Sequence, residues 1–202
     1  MGLKVVAALL IASFSCASAQ QACGSNGVAC IGLPHACING ADTSKCDVVA
    51  KVSPSSASPN SVRIELSGVP NGPQKLGSPA ITSRWVAVGF SENGMMPKSS
   101  VVHCFEQKGQ AVSKLTWNIP DGNLNIGFDG VDQSPLSVVK TSLDGSGIQC
   151  TVDLKKQFTN SGTPVDLSKK YFLIAATGPL LSDSLSVHDF APESSAPTSF
   201  SF

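Results

Sequence analysis

The segment Ser61-Val62-Arg63-Ile64-Glu65-Leu66-Ser67 alternates apolar and polar residues along its whole length. Successive side chains of an extended strand point to opposite faces, so this alternation places all the apolar residues on one face. One face then packs against a core and the other meets water, as in an antiparallel sheet with one solvated side. The segment therefore predicts a β-sheet protein.

Other segments have the same strand-like composition, rich in β-branched, aromatic or alternating apolar residues. Turn-forming residues such as Asn93-Gly94 and Gly178-Pro179 separate nearly all of them. Short strands divided by turns are typical of an all-β protein built as an antiparallel β-sandwich. Residues 153–158 are expected to form a short helical turn. The predicted strands cover residues 47–53, 61–67, 84–90, 100–105, 112–117, 136–141, 147–154 and 171–176.

Composition is that of one globular domain. Hydrophobic residues make up 42% and charged residues 14% of the 202 residues, which is too apolar for intrinsic disorder. The 18 glycines and 13 prolines leave little room for long helices. Lys and Arg together number 14, as do Asp and Glu, so no net charge attracts nucleic acid and no nucleic-acid partner is expected.

The first 19 residues have the features of a secretory signal peptide. Lys4 precedes an apolar run over residues 5–14, and Ala17-Ser18-Ala19 supplies the small residues of a cleavage site. The run is shorter than the roughly 20 residues that a membrane span requires, and no later segment is as apolar over that length. A secreted, extracellular protein without a membrane span is therefore predicted.

Cysteine usage agrees with this compartment. Cys16 belongs to the signal peptide, and an even number of cysteines in a secreted chain indicates disulfides. Residues 20–46 have little hydrophobic periodicity and are predicted to form an arm that two bridges hold, rather than a core; three pairings are open among its four cysteines. Cys104 and Cys150 are then left to pair with each other. The six cysteines are Cys23, Cys30, Cys37, Cys46, Cys104 and Cys150.

A zinc site at Cys23, Cys30, His35 and Cys37 is an alternative use of the arm. It is disfavoured because the spacing contains no CxxC pair and because oxidising compartments favour disulfides.

The sequence has no GxSxG elbow, HExxH motif, P-loop or dinucleotide-binding fingerprint. With no evident nucleophile, an electron-transfer or binding domain without its own catalytic site is favoured over an enzyme. Beyond Met1, methionine occurs only as the pair Met95 and Met96, which follows a predicted strand, and His188 follows the last predicted strand after a loop. His35 and His103 are expected to face solvent or to bond locally.

Two segments resemble the DOMON domain family. The first runs from Trp85-Val86-Ala87-Val88-Gly89-Phe90 through Met95-Met96 to Val101-Val102, and the second is 171–179 followed by His188. The cysteine-rich start is similar to that of animal ferric-chelate-reductase-like members, and the resemblance spans roughly residues 23–191. It implies an Ig-like sandwich over residues 47–191, followed by a tail of residues 192–202.

Haem-binding members of this family, including the cytochrome domain of fungal cellobiose dehydrogenase, hold a b-type haem between a Met and a His. The resemblance implies Met96 and His188 as ligands of the haem iron, with Met95 as the alternative to Met96. The haem is expected to be non-covalent, because no CxxCH is present. A pair of protein ligands leaves no open coordination site, which implies one-electron transfer to a separate, unknown redox partner.

The haem pocket implied by the resemblance includes Trp85, Phe90 and Phe172. If one iron joins both ligands, the Met96 sulfur and a His188 nitrogen lie about 4 to 5 Å apart. The sequence departs from the family at residues 97–100, Pro-Lys-Ser-Ser, where glycine and acidic residues are expected.

Two alternatives to a cytochrome remain open. Related sandwich domains bind sugars or other small ligands without haem, so a haem-free extracellular binding module is the second interpretation. The third is Cu(I) binding, because Met95, Met96 and a histidine form a set of soft ligands.

Overall fold

The computed structural model of the protein describes residues 23, 27–69, 84–121, 124–145, 147–181, 184–185, 187–188 and 193–199. The predicted signal peptide lies outside these ranges. Within them, no helix has the length and apolar character needed to cross a membrane. One turn of 3-10 helix, Phe128–Gly130, accompanies strands β1 (Ala29–Leu33), β2 (Val48–Pro54), β3 (Ser61–Gly68), β4 (Arg84–Ser91), β5 (Ser99–Gln107), β6 (Gln110–Asn118), β7 (Asn125–Ile126), β8 (Leu136–Asp144), β9 (Gly147–Lys155), β10 (Gln157–Asn160), β11 (Thr163–Asp166), β12 (Lys170–Leu181), β13 (Ser184–Leu185), β14 (Glu193–Ser194) and β15 (Thr198–Ser199).

The described strands form two main antiparallel sheets. The first has the order β1-β2-β3-β9-β8, and the second has the order β13-β12-β4-β5-β6-β7, with β14 and β15 also paired to β12. β10 and β11 form a separate hairpin. The predicted all-β, antiparallel sandwich is confirmed.

The core lies between the two sheets. On β3 the alternation seen in the sequence places Val62, Ile64 and Leu66 inside, and Val88 and Phe90 of β4 face them from the second sheet. Burying a side chain of this size contributes about 1.5–3 kcal/mol. The Cys104–Cys150 disulfide, with Cα atoms 5.8 Å apart, joins β5 of one sheet to β9 of the other through this core.

All eight predicted strands are present, and seven of them are one to six residues longer than expected. The helical turn predicted at residues 153–158 is wrong. Those residues end β9 and begin β10, and Asp153, Leu154 and Lys155 pair with β3. Pairing with a neighbouring strand already provides hydrogen bonds for their backbone N–H and C=O groups, so a helix would add none.

The cysteine-rich arm is more than a bridged segment, contrary to the prediction. It forms β1, which pairs along its whole length with β2, and it buries Val28, Ile31 and Leu33. The arm forms disulfides Cys23–Cys30 and Cys37–Cys46. The zinc alternative is therefore wrong, because all its sulfurs are in disulfides, and the described part of the chain has no group of three or more His, Cys, Asp or Glu side chains suited to a metal ion.

Candidate functional site

The second sheet has an outer face, turned away from the first sheet, that is itself largely buried. Side chains on β4 and β5 alternate between the core and this outer face, and Trp85, Ala87, Val101 and Phe105 form a second apolar cluster there. The Phe128 ring stacks on Phe105 with ring centroids 5.5 Å apart, so the 3-10 turn covers one side of the face.

The middle of the outer face is built from small residues. Ala87 pairs with Ala176 of β12, Gly89 pairs with Ile174, and Trp85 pairs with Gly178. Alternation places all of these on the outer side. The centre of the face is therefore a floor of small side chains between larger ones, and it is buried, with Ala87 2% and Ile174 5% exposed.

Met95 and Met96 lie at one end of this floor, in the loop that joins β4 to β5. Ser91 Oγ donates a hydrogen bond to the Met95 carbonyl oxygen at 2.7 Å, and Ser99 Oγ donates to the Met96 carbonyl oxygen at 2.5 Å. The loop also approaches Phe172, because a Cβ atom at Gly94 would lie 3.3 Å from that ring. Met95 is 59% exposed, whereas Met96 is only partly exposed.

Lys98 lies in the segment 97–100, where the DOMON resemblance predicts glycine and acidic residues. Lys98 has a φ of +58°, in the left-handed region that glycine adopts most readily. A glycine is expected near this position, and the lysine adopts the conformation that a glycine would supply.

His188 lies at the other end of the floor. The carbonyl oxygen of Val187 approaches Gly178 so closely that a Cβ atom there would be 2.9 Å from it and 2.7 Å from Cζ2 of Trp85. His188 is partly exposed, yet its Nδ1 is buried and has no hydrogen-bond partner among the described residues. The same is true of the indole Nε1 of Trp85. Two polar nitrogens at this end are therefore available to an added group.

The structure brings Met95, Met96 and Phe172 together at one end of the floor, and Trp85 and His188 at the other. The two ends are separated by six residues of β12, about 20 Å along the strand. This is far more than the roughly 4 to 5 Å expected between two ligands of one iron, so the structure does not bring Met96 and His188 together. Phe90 lies on the opposite face of β4, in the core between the sheets, so the lining expected from the sequence retains Trp85 and Phe172 but not Phe90.

The burial of His103 was not predicted from the sequence. His35 is exposed as expected, but His103 is buried on the outer face, and its ring meets the Trp85 ring edge to face at 5.2 Å. Nδ1 of His103 shares a hydrogen bond with Thr116 Oγ1 at 3.2 Å. Burial lowers the pKa of His103 to about 3, so the imidazole is neutral. Its expected exposure to solvent is wrong, whereas its expected local bonding is present.

The outer face supplies two elements of a haem site but not its geometry, because Met96 and His188 lie at opposite ends of the face. It offers a thioether and an imidazole, which are a known pair of axial ligands. The imidazole has a buried nitrogen without a partner.

No protein-family model matches the sequence, and no characterised protein matches it by sequence. Among solved structures, the fold is similar to the cytochrome domain of Myriococcum thermophilum cellobiose dehydrogenase, with a TM-score of 0.51 and 11% identity over 76% of this chain and 74% of that chain. It is also similar to the cytochrome b domain of Coprinopsis cinerea pyranose dehydrogenase, with a TM-score of 0.50 and 13% identity over 73% of this chain and 75% of that chain. The chain therefore has the fold of these cytochrome domains, and the fold expected from the DOMON resemblance is confirmed.

Proposed function

We propose that the protein is a secreted b-type haem-binding DOMON domain that transfers single electrons. Met96 and His188 are the proposed axial ligands, and holding one iron between them requires the two ends of the outer face, about 20 Å apart in this structure, to approach each other. The observation that carries the proposal is the buried, unpartnered Nδ1 of His188 at the end of the outer face opposite the Met95–Met96 loop. The likeness in fold to two cytochrome domains supports the same conclusion.

Met96 is preferred to Met95 as the sulfur ligand. Met95 is 59% exposed, and an exposed thioether loses little by remaining in water. Met96 is the less exposed of the two, which favours it as the residue that would contact a bound group.

When bound, a Met/His-ligated haem supplies reversible one-electron transfer, and thioether ligation raises its reduction potential relative to two imidazoles. The chain's own residues bind the group and keep water from it. Trp85 and Phe172 supply apolar surface at the two ends of the floor, and the Trp85 indole N–H is a free donor for an oxygen of the bound group. We propose a carrier that exchanges electrons with a separate redox partner.

The proposal of secretion rests on the signal-like first 19 residues and on three disulfides, which persist in oxidising compartments.

The visible absorption spectrum of the purified, haem-supplied protein, oxidised and then reduced with dithionite, tests the proposal. We expect a sharp six-coordinate b-type spectrum that is lost in His188→Ala and retained in His35→Ala, which removes an exposed histidine of the arm. A wild-type protein that stays colourless in the presence of haem would refute the cytochrome. The haem-free binding module would then be the better description.

A further inference from the structure

The disulfides in the described part of the chain differ in their access to solvent. Cys104 and Cys150 are buried between the two sheets, with exposures of 0% and 1%. The Cys37–Cys46 disulfide lies instead in the connection between β1 and β2, where Cys46 is half-buried and its neighbour Lys45 is exposed. A thiolate that reduces a disulfide must reach one of its sulfur atoms, so this difference in exposure decides which bond reacts in the folded protein.

The Cys37–Cys46 disulfide packs directly on the backbone of β1. A Cβ atom at Gly32 would lie 2.7 Å from the Cys37 sulfur and 2.9 Å from the Cys46 sulfur, so both sulfurs occupy the space that a side chain would need. One residue beyond Cys46, the Asp47 N–H donates to the Leu33 carbonyl oxygen at 2.7 Å. The disulfide therefore closes the connection between the end of β1 and the start of β2.

β1 is an edge strand of five residues, and its ladder of hydrogen bonds goes to β2. A short element at the edge of a sheet is among the first parts of a domain to open. The Cys23–Cys30 disulfide joins β1 only to residues before it. Among the disulfides of the described residues, Cys37–Cys46 is thus the one that spans the connection from β1 to β2.

We propose that Cys37–Cys46 is a redox-modifiable site, at which a dithiol reduces the folded protein and thereby releases β1 from β2. A thiolate of the dithiol attacks the more exposed Cys46 sulfur and forms a mixed disulfide, and Cys37 leaves as a thiolate. The second thiolate of the dithiol then breaks the mixed disulfide, and Cys46 leaves in turn. Two electrons and the two protons of the dithiol end on the cysteines, and the dithiol becomes a disulfide. The inference does not depend on haem.

The size of the effect follows from the loop that the disulfide closes. Cys37 and Cys46 are nine residues apart. Opening a closed loop of about ten residues changes the equilibrium between paired and released strand by roughly 100-fold in the chain-entropy model. Reduction is therefore expected to speed the amide hydrogen exchange of β1 by about the same factor.

Selective reduction is tested on the full-length, folded protein. The protein is treated with dithiothreitol without denaturant, and free thiols are alkylated and located by mass spectrometry. We expect Cys37 and Cys46 to be labelled at concentrations of dithiothreitol that leave Cys104 and Cys150 unlabelled. Labelling of all four cysteines at the same concentration would overturn the inference.

Release of the strand is tested by amide hydrogen exchange of residues 31–33. The double variant Cys37→Ala/Cys46→Ala reproduces the reduced site, and wild type reduced under the selective conditions is the second sample in case the variant does not fold. The matched control is Cys23→Ala/Cys30→Ala, which removes the arm disulfide that does not reach β2.

Exchange of residues 31–33 is expected to be about 100 times faster in the first double variant and in reduced wild type, and unchanged in the control. Exchange of β4, in the other sheet, is expected to stay the same in all samples. Unaltered exchange of residues 31–33 after loss of the Cys37–Cys46 bond would overturn the inference. An equal acceleration in β4 would do so too, because the bond would then stabilise the whole domain instead of holding one strand.

Discussion

The imidazole of His103 meets the indole of Trp85 edge to face, with ring centroids 5.2 Å apart and ring planes at 83°. The pair lies on the outer face of the second sheet, where the cross-strand neighbours of His103 are Ala87 and Lys114. Neither neighbour offers negative charge to a protonated imidazole. Burial therefore lowers the pKa of His103 to about 3 without compensation.

This depressed pKa predicts a loss of stability in acid. The unfolded chain takes up a proton near the ordinary histidine pKa of about 6.5, whereas the folded chain does so only near 3. Above about pH 6.5 the titration of His103 therefore does not reduce the free energy of unfolding. As the pH drops towards 3, that free energy falls, by about 3 kcal/mol between pH 7 and pH 4 from this group alone. Urea unfolding at the two pH values measures it.

His103→Gln is expected to reduce the acid-dependent loss by that amount, while His35→Gln, at an exposed site, leaves it unchanged. An equal loss of stability in His103→Gln and wild type would show that other groups cause the acid sensitivity.

Replacing the two methionines separately distinguishes them as ligands. Met95→Ala removes a side chain that is 59% exposed and is expected to change the free energy of unfolding by no more than about 0.5 kcal/mol. Its haem spectrum should remain six-coordinate. Met96→Ala is expected to lose the far-red band of methionine-ligated ferric haem and to lower the reduction potential. The reverse pattern in the visible spectra would assign the ligand to Met95.

Gly178 is required by the close approach of Trp85 and Val187. A Cβ atom there would lie 2.7 Å from the indole and 2.9 Å from the Val187 carbonyl oxygen, so Gly178→Ala must displace both of them. We expect a loss of about 1–3 kcal/mol in stability and a weaker affinity for haem, because the displaced segment carries His188.

Gly127→Ala is the matched control, since no heavy atom lies within 4 Å of its Cβ position and its φ is −59°. Thermal unfolding and haem titration measure both variants. Equal behaviour of the two alanines in both measurements would contradict the role given to Gly178.

The Gln133 side-chain amide hydrogen-bonds to the backbone of β6, as a neighbouring strand would. Its Oε1 accepts from the Leu115 N–H at 2.8 Å, and its Nε2 donates to carbonyl oxygens of Leu115, Phe128 and Val131. Gln133→Glu replaces the donor with a carboxylate oxygen that faces those carbonyls. We expect a loss of about 2–3 kcal/mol in chemical denaturation. Gln149→Glu, on an exposed position of β9, should be nearly neutral, and a similar loss there would show that the added charge is responsible.

The sequence predicts the strands well because their signal is local. The alternation at residues 61–67 is visible without any neighbour, and it corresponds to β3. The strand in the cysteine-rich arm was missed because its buried residues, Val28, Ile31 and Leu33, are interrupted by the small residues of a bridged segment. Its place is set by pairing with β2, which is a tertiary contact.

The candidate site was likewise predictable only in part. Resemblance selected Met96 and His188, but the face on which each aromatic residue lies depends on the pleat of β4, which separates Phe90 from Trp85. Side-chain hydrogen bonds from Asn118 to Ser99 and from Asn125 to Asn118 join three strands of the second sheet. Serine and asparagine are common at strand ends, so the sequence carries no signal that distinguishes these from others.

The Cys104–Cys150 disulfide also determines how the domain would respond to a pulling force. Its two cysteines are separated by 46 residues, and the bond joins one sheet to the other. A force applied to the chain outside this loop passes through the covalent bond. The residues between the two cysteines, roughly 160 Å of chain when extended, are therefore not stretched. Single-molecule stretching should therefore give a shorter contour length for the oxidised protein than for the reduced one. Reduction of the disulfide would allow the loop between the two cysteines to extend under force.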